Sequence, residues 1–171
     1  FLFNDWRVRC VVNPELGYEG QLPTLLQLSM RPRNVVVVGG GPAGFEAARV
    51  AAKRGHKVTL YEADPSLGGQ ARTAARSPLS ALEMEAYCLY FQEELKHLGV
   101  TVHLNSRIDA SHSALKGVDD LVLATGGCPA TEPPESAVDA VSALNGEFPA
   151  GDVVVLGANV AGLHASAVAV Q

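Results

Sequence analysis

Three glycines spaced as Gly39-x-Gly41-x-x-Gly44 have residue types and spacing suited to chemistry, because they can bring bare backbone against a charged ligand. Gly39 permits a tight turn, Gly41 allows the backbone to approach a diphosphate with no Cβ in the way, and Gly44 allows a helix to pack closely on a strand. Ala43 lies among them, and Pro42 occupies a first-turn position where a missing N–H costs little. Free N–H groups at a helix N-terminus, with the positive end of its dipole, would then hold linked phosphates. Glu62 comes eighteen residues after Gly44. An acid there accepts hydrogen bonds from adenosine ribose hydroxyls and repels a 2′-phosphate, favouring FAD or NAD over NADP.

Two further segments fit the same ligand. Leu67-Gly68-Gly69-Gln70 offers glycines that let the chain fold over a dinucleotide, with Gln70 and Arg72 as donors. Leu123-Ala124-Thr125-Gly126 reads as a strand leaving a sheet at its carboxyl edge, where open α/β folds bind ligands.

These residues need elements to position them. Val35-Val36-Val37-Val38 is a poor helix start and a good strand buried on both faces. Helix formers follow over 45–54, Gly55 suits a C-terminal cap, and 57–62 reads as a second strand. Together they make one βαβ unit. Met84, Tyr87, Phe91, Leu95 and Leu98 recur at helical spacing, predicting an amphipathic helix over 79–98 closed by Gly99. Strands are expected at 100–104 and 119–124, and the pattern after 150 repeats the opening, Val153-Val154-Val155-Leu156-Gly157 running into a second glycine turn. The predicted fold is α/β, a Rossmann-like FAD/NAD(P)-binding domain with a parallel sheet, plus the start of a second Rossmann-like unit.

Composition narrows the partners. A net charge of −5 and scattered basic residues argue against nucleic acid or an anionic membrane. No apolar run nears the ~20 residues that span a bilayer. Three widely separated cysteines, Cys10, Cys88 and Cys128, form no disulfide framework, which points to a reducing cytoplasm. Cys88 sits among Tyr87, Leu89, Tyr90 and Phe91 and reads as packing, and the five histidines show no ligand spacing. No residue stands out as a general acid or base. Phe1 at the start, and a final segment that reads as a helix in progress, suggest part of a longer protein.

The residues from Val35 to Gly44, with Glu62, 67–70 and 123–126, resemble the FAD-binding half of the two-dinucleotide-domain flavoprotein disulfide reductase superfamily. Cys10-Val11-Val12-Asn13-Pro14-x-x-Gly17-x-Glu19, ahead of the glycine turn, resembles more closely the modular iron–sulfur flavoproteins. These are the 2,4-dienoyl-CoA reductase, trimethylamine dehydrogenase and old yellow enzyme-like NADH:flavin oxidoreductases. The resemblance implies a FAD-dependent oxidoreductase in which hydride passes from NAD(P)H to FAD and electrons continue through a [4Fe-4S] cluster to FMN. This chain alone is expected to be inactive, and its partners would be the dinucleotide and the rest of the parent protein, with homo-oligomerisation left open. It also implies an irregular lead-in over 1–34 after an iron–sulfur segment, a FAD domain over 35–130, a connection over 131–150, and the start of an NAD(P)-type domain over 151–171. Cys10 would be the last cluster ligand, and Ile108 would reach the adenine through its backbone. Two departures stand out: the other cluster cysteines are absent, and Asn159 replaces the middle glycine of the second turn. One branch of the family holds ADP as a structural ligand instead, which is the alternative reading.

Overall fold

The computed structural model describes residues 10–21, 26–127, 137–147 and 154–155. Among them runs a parallel four-stranded sheet of order β3-β2-β1-β4, built from β1 (Asn34–Val38), β2 (Lys57–Tyr61), β3 (Thr101–His103) and β4 (Asp120–Leu123). Helix α1 (Pro42–Lys53) joins β1 to β2 and α3 (Ala81–His97) precedes β3. The strand order places β1 centrally. That is why its four consecutive valines are all buried and why its carboxyl end opens between two neighbours.

The core lies on one face of the sheet. Val37, Leu60, Phe45, Phe91 and Leu95 are essentially inaccessible, and the rings of Phe45 and Phe91 stack at 5.2 Å. Each such side chain contributes roughly 1.5–3 kcal/mol by leaving water, so α1 and α3 are pinned to the strands beneath them. The 3- and 4-residue spacing within 79–98 has this cause: Tyr87, Phe91 and Leu95 form the buried stripe, while Leu82 and Leu89 face out.

The strands and both long helices lie within a few residues of their sequence-based bounds. Helix α1 starts at Pro42 instead of 45, because Pro and the small residues after it already adopt helical geometry. Two short helices fall in stretches read as loop or connection: α2 (Gln70–Ala74) and α4 (Ala140–Leu144). At five residues each, they are too short to show a periodicity. For α4 a signal did exist. Asp139 Oδ1 accepts from the Val141 and Ser142 N–H groups as an N-cap. Strand β4, expected as an apolar strand, forms an edge of the sheet, and its Leu121 and Leu123 are exposed. The second glycine turn, 157–162, lies outside the described residues.

Candidate functional site

At the carboxyl ends of β1, β2 and β4 the sheet opens into a cavity of about 310 Å³. Gly39, Gly41, Glu62, Gly69, Gln70, Ile108, Ala124, Thr125 and Gly126 line it, so nine of the sequence-predicted site residues share one concavity. Pro42, Ala43 and Gly44 form the first turn of α1, directly after the lining Gly41.

Each glycine of the turn is required for a different reason. Gly39 has φ of +106°, and a Cβ there would collide with the carbonyl of Ala124. A Cβ at Gly44 would run into the Gly39 carbonyl, so the helix lies directly against the strand end. Gly41 is different. Its φ of −82° and ψ of −174° suit any residue, and an added Cβ would meet only Gly69 Cα at 3.9 Å, an ordinary contact. Nothing among the described residues demands glycine at this position.

The helix beside Gly41 is also left open. The N-cap makes no side-chain hydrogen bond and the first turn carries no acid, while the first helical bond closes only at Phe45 N–H to Gly41 O, 2.9 Å. The Ala43 and Gly44 amides therefore have no partner within the helix, and no acid of the first turn offsets the dipole there. A helix mouth with bare amides and a cradle that a Cβ would begin to fill fit the diphosphate of a dinucleotide.

Glu62 follows β2 and faces this mouth, but its carboxylate is already engaged. Oε2 accepts from Gly40 N–H at 2.6 Å and Oε1 from Asp64 N–H at 2.9 Å. A carboxylate has about four acceptor positions, so two remain for a sugar. The stretch after β3 is stitched alongside: Glu62 N–H donates to His103 O, Ser106 N–H to Glu62 O, and Asn105 N–H to Asp64 O. That stitching carries Ile108 to the cavity together with Ser106 and Arg107.

Arg72 does not line the cavity. Its Nε donates to Leu67 O at 2.9 Å and braces the loop before α2. Sequence reasoning missed Asp64, Ser106 and Arg107 on the rim, which no spacing rule singles out. It also passed over Gly40, the unassigned position of the motif. A Cβ there would collide with Leu67 Cδ2 and press on Glu62.

Other candidates stay apart. Cys10 is exposed, and among the described residues no three His, Cys, Asp or Glu side chains gather to hold a metal ion. Cys10 by itself offers one of the four thiolates that an iron–sulfur cluster takes. Cys88 is buried under α3's core face, and burial pushes its thiol up, away from the thiolate needed for reactivity. His56 Nδ1 accepts from Arg33 N–H, a structural role, and Cys128 lies outside the described residues. Among the described residues no helix is long and apolar enough to cross a membrane.

Comparison with known proteins gives the same site a family. The chain is 43% identical over 130 residues to NADH oxidase of Thermoanaerobacter brockii, covering 76% of this chain and 20% of that protein. Among solved structures, a 2-naphthoyl-CoA reductase complex superposes with a TM-score of 0.83 at 32% identity, covering 94% of this chain and 25% of that one. Histamine dehydrogenase from Rhizobium sp. 4-9 superposes with a TM-score of 0.60 at 34% identity, covering 69% and 18%. The chain spans about a fifth of the length of the curated relatives it matches. A family profile described as FAD dependent oxidoreductase matches residues 34–132, the segment that builds the sheet and its glycine-lined edge, and the chain belongs to that family.

Proposed function

We propose that the cavity at the carboxyl edge of the sheet holds FAD, as the flavin-binding part of an NAD(P)H-dependent oxidoreductase. The observation that carries this is Gly41: a glycine with no protein neighbour to require it, beside uncapped helix amides. When bound, the flavin supplies hydride acceptance and electron transfer, chemistry that belongs to the cofactor. The chain's own work is to bind and orient. First-turn amides of α1, at Ala43 and Gly44, neutralise the diphosphate. Glu62 takes ribose hydroxyls with its remaining acceptor positions, and its charge disfavours a 2′-phosphate. Gln70 and the backbone of Thr125 and Gly126 lie on the lining where they can meet the rest of the dinucleotide, and Ile108 meets the adenine.

A longer parent protein supplies the substrate side. Relatives named NADH oxidase, cinnamate reductase and histamine dehydrogenase support an NAD(P)H-linked enzyme acting on an unsaturated acid or an amine. In the parent an FMN-bearing region would complete the path. Cys10 would serve there as the last ligand of a [4Fe-4S] cluster that passes electrons from FAD to FMN, and this chain alone supplies one of the four thiolates. Unpaired Cys10 and Cys88 support a reducing, cytoplasmic setting.

The test is to purify the full-length protein, record its visible spectrum and identify the released nucleotide by mass. A yellow protein that releases FAD is expected. A colourless protein that releases ADP would replace this function with a structural nucleotide module. Release of no nucleotide would remove both.

A further inference from the structure

Gly40 occupies the position that the motif leaves unspecified, yet it is held from both sides. Its N–H donates to Glu62 Oε2 at 2.6 Å, and its carbonyl accepts from Gly68 N–H at 2.8 Å. Leu67 and the Glu62 side chain close over its Cα. Glu62 is itself anchored, through Oε1 to Asp64 N–H and through its backbone to His103 and Ser106. The loop on the other side is anchored too, by Arg72 Nε on Leu67 O.

A run of three glycines has more backbone freedom to lose than any other sequence. Without restraint it would sample many shapes, and a ligand would have to order it at the expense of affinity. The Gly40 clamps remove that freedom before any ligand arrives. They also occupy the Gly40 amide, which leaves the first-turn amides of α1 as the donors for an anion.

We infer that Glu62 is a positioning residue for the phosphate cradle as well as a ribose acceptor: by fixing the Gly40 amide it preorganises the glycine turn. This role rests on the dinucleotide reading above. It implies that Glu62 matters even to a ligand with no ribose hydroxyls.

The two roles separate with a pair of probes, ADP and 2′,3′-dideoxy-ADP, titrated into full-length protein stripped of its nucleotide. Glu62→Met keeps the side-chain length and removes both acceptor oxygens, whereas Glu62→Gln keeps one acceptor. Glu62→Met should weaken dideoxy-ADP about tenfold, and Glu62→Gln should restore most of that loss. If Glu62→Met binds dideoxy-ADP as tightly as the unsubstituted protein, the positioning role is overturned and only the ribose contact remains. Hydrogen exchange tests the clamp without any substitution. The Gly40 amide of the ligand-free protein should exchange on the order of a hundredfold slower than an open turn amide, and exchange at the open rate overturns the inference. Should the unsubstituted protein bind neither probe, the dinucleotide reading falls and the positioning role falls with it.

Discussion

Helix α1 treats its polar groups in opposite ways at its mouth and along its flank. At the mouth, no side chain caps the helix and the first turn carries no acid. Along the flank, Arg49 is buried to 4% side-chain exposure, and it is fully paired. Its Nε and Nη2 reach Glu46 at 2.8 Å, and its Nη1 reaches Glu15 at 2.5 Å. Lys53 extends the network to Glu15 at 3.1 Å and to Glu94 of α3 at 3.6 Å. Buried charge is tolerated on the flank because each group meets its opposite. Unmet amides are tolerated at the mouth because a ligand can meet them. The flank fastens the lead-in segment to the helix, and the mouth is left open, as the proposed dinucleotide site requires.

The sharpest way to break this comparison is to add one methyl group at each of the three glycines of the motif in turn. Gly44→Ala drives a Cβ into the Gly39 carbonyl and should cost more than about 4 kcal/mol, enough to prevent folding in many domains. Gly39→Ala combines a similar collision with a left-handed φ and should behave the same way. Gly41→Ala should instead change stability by less than about 0.5 kcal/mol, while Gly41→Val abolishes dinucleotide retention. Thermal melts and the nucleotide content of the purified variants decide the matter. A Gly41→Val protein with full occupancy would mean that the turn is not the cradle.

Next in size is the flank. Arg49→Met strands Glu15 and Glu46 without their guanidinium and should cost about 3 kcal/mol in denaturant unfolding. Affinity for the dinucleotide in the folded protein should not change, because Arg49 does not line the cavity. A loss of affinity matching the loss of stability would show that the two regions are one cooperative site.

The smallest effect is a pH dependence. The Arg49 guanidinium, with Lys53 beside it, holds the Glu15 carboxyl below its ordinary value of 4.5. A carboxyl depressed in the folded state lends stability that is complete above its unfolded value and is lost as pH falls through the folded one. The lead-in segment should therefore stay fastened at neutral pH and loosen as pH falls below about 4.5. Unfolding midpoints of the unsubstituted protein and of Arg49→Met, followed into the acid range, should draw closer together as Glu15 is protonated. Parallel curves would show that the network carries no titratable stability.

Part of the molecule was legible because its signals are local. Four valines, a glycine turn, ten helix formers and a second strand follow one another without a break, so the βαβ unit and the place of Glu62 at its end could be predicted from neighbours alone. Ile108 reached the list of site residues through a resemblance, and the structure supplies the physical cause: hydrogen bonds between 103–106 and 62–64. For Arg72 the sequence left two directions open, because a donor near a glycine loop can turn towards a ligand or brace the loop, and its Nε donates to Leu67 O. The Glu15–Arg49 pair joins residues 34 positions apart, and no spacing rule reaches that far.

Chain chemistry by itself determined that this protein builds a parallel α/β sheet with a phosphate-sized gap at one strand end, since backbone freedom at glycine and burial of valine act over a few residues. Only the packed structure decided which glycines are required by their protein neighbours and which is not. That distinction depends on what stands within 4 Å of an atom that glycine lacks, and apart from the Gly39 carbonyl beside Gly44 those neighbours come from Ala124, Leu67 and Gly69, remote in the chain.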